Sequence, residues 1–326
     1  MKLNSFKKFL SITEVNRTIL ILIMTLVIYA LNPFFYTAAN LRFIAIWGAI
    51  FSLMILGQML YLIPGGFDLS FGGVVCISNV LMAVFVIWWG FDIWLAVLII
   101  LVGGAAVGLA TALFGNTFSP PLRFMLPVFI FTIVLMFVFT GMARLITGAF
   151  SIYGFPDAYS LIAKIELGPF PIIPIYLLII VGVLVYIFYF RPLGRHLFAT
   201  GLNDEVAKKV GINVKKVRLI AFATGSLIQA FVGIILSSYM AIGSSLIGPA
   251  YLLPVFAGVF IGGISFAGGE GSPFGAIIGG FAVYLIKNII IILAIAVFWT
   301  EIVTGLFLLL FISFDFYQKR RRVHQT

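Results

Sequence analysis

The chain offers little to a catalyst. Its 326 residues include two histidines, ten acids and one cysteine. His196 and His324 both fall in polar segments, so they cannot line one site inside an apolar core. The H-E-x-x-H, G-x-S-x-G and G-x-x-x-x-G-K-[ST] patterns are absent. That removes a helix-borne zinc site, a nucleophile elbow and a phosphate loop. Cys76 lies alone in an apolar run, which excludes a disulfide framework and a thiolate metal site. Among the acids, Asp68 stands between Gly66 and Ser70, at a break between two apolar stretches. An acid at membrane depth costs roughly 2.5–3.5 kcal/mol on insertion scales. Asp68 is therefore expected either to line a pathway or gate or to cap the next helix by accepting its first N–H groups. Glu270, Glu301, Arg144 and Lys287 are the other charges near apolar runs. Capping accounts for Glu301, and snorkelling or pairing for Arg144 and Lys287.

One polar stretch, Arg191 to Arg218, interrupts the apolar sequence and holds seven of the twenty Lys and Arg residues. A short helix is written inside it. Asn203 is a good N-cap, Asp204 and Glu205 suit the positive helix end, and Lys208 and Lys209 suit the negative end. Gly211 can take the left-handed conformation that closes a helix. Val206, Ala207 and Val210 are expected on one side. Two turns are too short to persist alone in water. The helix needs a surface, either the ends of its own membrane helices or a partner protein.

The elements that position these residues must be membrane helices. The chain is 63% hydrophobic and 9% charged, against about 25% charged in a soluble domain. Its apolar runs are continuous and lack the period-2 alternation of a membrane barrel. They leave room for about eight to ten spans of about 20 residues. The spans are expected at about 18–36, 43–63, a third that residues 67–73 lead into and that runs to about 89, 93–114, 124–146, 172–190, 219–240, 274–295 and 299–316. A shorter run, 251–261, reads as a span or a half-helix. Gly-rich breaks fall at 64–73 and 243–273, and paired interruptions point to a pathway between inverted repeats, although glycine abundance in membrane helices explains them too. Ten spans put residues 1–17, Arg123, the 191–218 loop and the 317–326 tail on one side. Most of the basic residues lie there, which makes that side cytoplasmic. Both termini are then cytoplasmic, and the chain is one membrane domain over 1–326. The +10 net charge follows the membrane topology and does not signal nucleic acid.

Three segments, in order, resemble the permease subunits of bacterial ABC importers of the ribose and simple-sugar type, within the family that includes branched-chain amino acid permeases. Gly65-Gly-Phe-Asp-Leu-Ser-Phe-Gly72 is similar to that family's GGIDLSVG. Gly201-x-Asn203-x-x-x-Ala207-x-x-x-Gly211-Ile212 is similar to its cytoplasmic G-x-N-x-x-A-A-x-x-S-G-I segment. Residues Gly262 to Gly279, beginning Gly262-Gly263-x-Ser265, are similar to its GGTSLAGGRG segment. Phe35-Tyr-Thr-x-x-Asn40 is a fainter match to its first loop. Val206, Val210 and the stretch Leu126 to Gly141 depart from the family pattern.

The resemblance implies an all-α polytopic bundle of about ten helices, with the type II fold of the cobalamin importer. It implies no cofactor on this chain, with ATP and Mg held by separate ABC ATPase subunits. The other partners implied are a second permease, identical or paralogous, and a periplasmic or lipoprotein solute-binding protein. The setting implied is the bacterial inner membrane. The ATPase-coupling residues would be Gly201, Asn203, Asp204, Glu205, Ala207, Gly211 and Ile212. Gly66, Asp68, Ser70, Gly262, Gly263 and Ser265 would line the pathway or gate. The function implied is import of a small polar solute, a sugar or a sugar-containing molecule such as a nucleoside. A self-contained secondary transporter or channel is the other reading, for which Asp68 is the one attractive coupling charge. An intramembrane enzyme would need a catalytic pair that the sequence lacks.

Overall fold

Why the chain folds as a bundle is visible in where its polar groups go. Within lipid every backbone group must be satisfied by the segment itself, and the apolar runs form long helices. The computed structural model describes Thr25, residues 32–118, 124–168 and 170–294, and then 296, 299, 302, 305, 306 and 309. Most of the expected first and last spans lie outside these residues. So do the basic lead, the 119–123 loop, Glu301, His324 and the basic tail.

Among the described residues, seven helices are long and apolar enough to cross a membrane. After a 3-10 turn at Pro33–Tyr36, α1 runs Ala38–Leu62. Helix α2 runs Phe71–Ala83 and continues as a π turn through Val84–Trp88. Then come α3 (Ile93–Phe118) and α4 (Met125–Thr147). A short helix, α5 (Asp157–Lys164), and a two-residue hairpin, β1 (Glu166–Leu167) with β2 (Phe170–Pro171), precede α6 (Ile172–Phe190). The polar stretch folds as α7 (Pro192–Leu202) and α8 (Asp204–Lys209). Helix α9 follows at Val214–Met240. Helix α10 is short, Leu252–Ile261, as the half-helix alternative had it, and α11 is Pro273–Ile292.

Helices α1, α2 and α9 form the centre and are mostly buried, whereas α3, α4 and α6 are mostly exposed at the periphery. Helix α9 lies along α1, α2 and α3, and α11 lies along α1 and α10. Small residues let these backbones approach: Gly258 meets Gly279, and Gly262 meets Gly275, with main chain against main chain. A buried amide pair ties α1 to α11. Asn40 Nδ2 donates to Asn288 Oδ1 at 3.2 Å, and Asn288 Nδ2 donates to Asn40 Oδ1 at 2.7 Å.

The two ends of the bundle differ. The end with α7 and α8 carries most of the described basic residues. The opposite end is covered by α5, held down on α9. Tyr159 Oη donates to the Ile234 carbonyl at 3.1 Å and also meets Ser237 Oγ, while Ser238 Oγ donates to the Tyr159 carbonyl at 2.7 Å. Burial pushes the Tyr159 phenol well above its ordinary pKa, so it stays a neutral donor. Ile152 and Gly243 exchange backbone hydrogen bonds beside it. Arg42 and Glu166 form an exposed ion pair on the same end.

Two sequence expectations are corrected. The expected polar loop extends only to Asn213, because Asn213 Oδ1 caps α9 by accepting from the Lys216 N–H at 3.0 Å. Arg218 therefore belongs to a long helix. Val206, Ala207 and Val210 do not share one environment: Ala207 is buried, whereas Val206 is 53% and Val210 71% exposed. At 3.6 residues per turn, Ala207 stands about 100° round the axis from Val206 and about 60° from Val210, so it packs inward while the two valines point away.

Candidate coupling site and the Asp68 fastening

At the basic end, the three segments singled out from the sequence meet. Helix α1 stops at Leu62, and the chain turns through Pro64–Gly65–Gly66. The Gly269 N–H donates to the Ile63 carbonyl at 2.9 Å. Gly201, near the end of α7, lies directly on that same carbonyl and on the Gly269 amide, so a Cβ at 201 would collide with both. Gly65 and Gly268 stand next to Gly201, each with positive φ. The joint is main chain against main chain, from three segments far apart in sequence.

Helix α8 is attached to this joint by its cap. Asn203 is extended, with φ −163° and ψ 109°, and ends α7 while starting α8. Its Oδ1 accepts from the N–H groups of Glu205 and Val206, both at 3.1 Å. Gly211 has φ +85°, and the Ile212 N–H returns to the Ala207 carbonyl at 3.0 Å, closing the helix as its residue types predict. The buried Ala207 is the inward contact of α8. Leu202, Val206 and Val210 are all exposed apolar residues beside it, and Glu205 is exposed as well.

Arg218 is the residue that sequence reasoning missed. It is buried, and it contacts three elements at once. Its guanidinium lies 3.5 Å from Asp204 Oδ2, its Nε–H donates to the Pro64 carbonyl at 3.4 Å, and its Cζ is 3.6 Å from the centre of the Phe124 ring. Asp204 also pairs with Lys208 Nζ at 3.3 Å. A cavity of about 320 Å³ lies here, lined by Gly65, Phe124, Thr200, Gly201, Asp204 and Arg218 among others. The only sequence signal was a basic residue four positions into an apolar helix, which a span counted from residue 219 discards.

Asp68 lies beyond the break and is fully buried. Its Oδ1 accepts from the Ser70 N–H at 2.7 Å and from Ser70 Oγ at 2.5 Å, and its Oδ2 accepts from Gln229 Nε2 at 3.1 Å. Its backbone carbonyl accepts from Gln58 Nε2 at 2.6 Å. The neighbouring Leu69 N–H donates to Thr132 Oγ1 at 3.1 Å. One carboxylate thus fastens the start of α2 to α9, while its main chain is held by α1 and α4. In this conformation it is enclosed and faces no open passage. Ser265 holds the second Gly-rich turn: its N–H donates to the Glu270 carbonyl at 3.1 Å, and its Oγ accepts from the Ala267 N–H at 3.2 Å. Gly66, Ser70, Gly262 and Gly263 lie in these two turns or at their edges. The structure therefore brings Gly65 to Gly201 and sets Gly66 against Phe222 and Tyr61, and it places Asp68 and Ser70 deeper, against α9. Among the described residues no group of His, Cys, Asp and Glu could hold a metal ion.

A sequence profile described as the permease component of the branched-chain amino acid transport system matches residues 40–312, a range that contains all three segments. The chain belongs to that family of ABC transporter permeases. A probable ABC transporter permease from Sinorhizobium fredii, y4mJ, is 32% identical over 84% of this chain and 80% of its own length. The ribose import permease RbsC of Escherichia coli is 27% identical over 93% of each chain. The D-allose permease AlsC of the same organism is 29% identical over 88% of this chain and 86% of its own. No solved structure matches the chain. A permease of this family is a multi-pass helical membrane subunit without the ATPase itself, which agrees with the absence of a phosphate loop in the sequence.

Proposed function

We propose that this permease imports a small sugar or a sugar-containing solute, handed over by a solute-binding protein and driven by separate ABC ATPase subunits that hold the ATP and Mg. The named relatives are permeases for ribose, xylose and allose, and their likeness spans most of the chain for ribose and allose. Helix α8 is the element that an ATPase would grip. The observation that carries this reading is its two-sidedness: Ala207 is packed inward, while Leu202, Val206 and Val210 remain exposed apolar side chains on a charged end. Exposed apolar residues beside a capped short helix suit a protein partner better than water. Gly201, Asn203, Asp204, Glu205, Ala207, Gly211 and Ile212 form the coupling site, and Arg218 joins them to the break after α1.

In this reading the basic end is cytoplasmic, with residues 1–17 and 317–326 as its tails and the membrane the bacterial inner one. Two permeases, identical or paralogous, pair around the path within lipid. A displacement of α8 reaches the break through Gly201 and Arg218, and the break carries Gly66, Asp68 and Ser70. The second Gly-rich turn, with Gly262, Gly263 and Ser265, moves with it through the Gly269–Ile63 hydrogen bond. Asp68 serves as the latch of the pathway. The self-contained transporter reading has no comparable support, since the one buried acid among the described spans and their breaks is already engaged by Ser70 and Gln229.

The test is uptake of D-[14C]ribose, D-xylose and D-allose by proteoliposomes that contain the complete transporter, with a hydrolysis-dead ATPase as control. ATP-dependent uptake of at least one sugar that stops with the dead ATPase is the expected result. Uptake that continues with the dead ATPase overturns the ATPase coupling, and no uptake of any sugar overturns the substrate class.

A further inference from the structure

Lys287 does not snorkel. It lies in α11, five residues before the helix ends at Ile292, and the water at that end is about 8 Å away along the axis. Its amine turns the other way. The Nζ stands 5.0 Å from the centre of the Phe51 ring and 5.6 Å from that of Tyr251. Side chains on a helix lean toward its N-terminus, and the N-terminus of α11 is at the basic end. Phe51 lies thirteen residues into α1, about 20 Å from the start of that helix. A hydrocarbon core is about 30 Å thick, so the ammonium is aimed toward mid-membrane.

The rings around it form one cluster with polar tips. Trp47 and Tyr284 stack at 6.2 Å and 12°, and Tyr239 meets Trp47 edge-on at 5.9 Å and 88°. Tyr251 meets Phe51 edge-on at 5.7 Å and 88°. Phe51 and Tyr284 are buried, whereas Trp47, Tyr239, Tyr251 and Lys287 are each partly exposed where α1, α9, α10 and α11 meet. Two phenols, an indole and an ammonium on a partly exposed patch, backed by the buried Tyr284, would be costly against lipid chains. They suit water and a ligand with both apolar faces and hydroxyls. Small-molecule sites are lined mainly by aromatic and apolar groups with a few placed polar ones.

We infer that this cluster is the point where the translocated sugar touches the permease, with Trp47 and Tyr251 as stacking faces and Lys287 as hydrogen-bond donor. The inference rests on the proposed import of a sugar and names the residues that contact it. When no sugar is present, the ammonium is held by the rings of Phe51 and Tyr251. A passing sugar offers its hydroxyl oxygens to the ammonium and its C–H face to the indole. The same positive charge turns cationic solutes away. An uncharged or anionic monosaccharide is therefore the ligand class.

Two measurements test it in the complete transporter. In proteoliposomes with D-ribose, D-xylose and D-allose as probes, Lys287→Met and Trp47→Leu should each cut uptake at least tenfold in complexes that still assemble, as size-exclusion chromatography reads. Lys287→Arg and Trp47→Phe should keep a larger share. Wild-type uptake rates in Lys287→Met and Trp47→Leu, both folded, overturn the inference. Lack of uptake by the unmodified transporter instead fails the substrate reading. The second measurement needs no transport. Tyr251→Cys and Tyr239→Cys, each in a Cys76→Ser background, should react with a membrane-impermeant methanethiosulfonate and be protected by the transported sugar. Reaction only with a lipid-soluble maleimide would place the cluster against lipid and overturn it.

Discussion

Arg218 should transmit more than it stabilises, and its substitution should uncouple transport from ATP hydrolysis. The guanidinium makes three contacts with three elements: Asp204 in α8, the Pro64 carbonyl at the break, and Phe124 before α4. Arg218→Lys keeps the charge opposite Asp204. It loses the planar face over Phe124 and the Nε–H toward Pro64. A desolvated cation–π contact is worth about 2 kcal/mol, and a neutral-acceptor hydrogen bond about 1 kcal/mol net. Lysine recovers part of the first, so the loss is about 1–2 kcal/mol. Arg218→Met forfeits all of it, roughly 3 kcal/mol. Asp204 is not stranded, because Lys208 still pairs with it. A contact shifts a two-state equilibrium only by the difference it makes between the states, so these figures are upper bounds. With 1.4 kcal/mol per tenfold, sugar moved per ATP should fall by at most about 5–30-fold in Arg218→Lys and by at most about 100-fold in Arg218→Met. The assay is paired: radiolabelled sugar uptake and phosphate release from the same proteoliposomes. ATP hydrolysis should persist while the ratio drops. An Arg218→Met transporter that moves as much sugar per ATP as wild type would refute the role of the joint, and so would one in which hydrolysis and uptake fall together.

Three further outcomes follow from the packing. Asp68→Asn should cost only about 1 kcal/mol, because the Gln229 amide can flip and offer its Oε1, which has no hydrogen-bond partner among the described residues; Asp68→Leu strands the Ser70 N–H, Ser70 Oγ and Gln229 Nε2, costs about 3–9 kcal/mol at roughly 1–3 per orphaned group, and should leave little folded protein by size-exclusion chromatography after mild heating. Gly201→Ala should fail to accumulate as folded protein, since its Cβ would collide with the Ile63 carbonyl, whereas Gly211→Ala meets no atom and should cost only the strain of its positive φ, roughly 1–2 kcal/mol; immunoblots of membranes before and after detergent extraction separate the two. Asn288→Leu leaves Asn40 Oδ1 without its donor while Asn40 Nδ2 keeps the Phe35 carbonyl at 2.8 Å, and should lower the aggregation midpoint in detergent; adding Asn40→Leu should recover only part of the loss, because it removes the unpaired oxygen but frees the Phe35 carbonyl.

Much of the fold was legible because the membrane simplifies the code. Continuous apolar runs gave the positions of α1, α2, α3, α4, α6 and α11 to within a few residues, and the punctuation at Pro64–Gly66 and Gly243–Gly248 located the breaks. The cap of α8 was legible because Asn203 and Gly211 act locally on the backbone. Three things were not. Helix α7 carries Pro192, Gly194 and Gly201, which read as loop residues, and it is held by Gly201 against Ile63, a contact between residues far apart in sequence. The start of α9 was hidden because Lys215, Lys216 and Arg218 look like loop until Asn213 is seen to cap them. The inward turn of Lys287 depends on rings from α1 and α10. The departures at Val206 and Val210 find a physical setting as well, since both side chains point away from the fold and are free to fit a particular partner.

The meeting of Gly201 with Ile63 and Gly269 sets how faithfully a push can travel. Side chains have torsions that give way, and a contact through them behaves as a soft spring. Here a peptide unit bears on another peptide unit with nothing between. The linkage has almost no slack, so a movement of one ångström at the basic end arrives at the start of the break nearly undiminished. Lengthening any of the three segments by one residue would turn a stiff lever into a loose one.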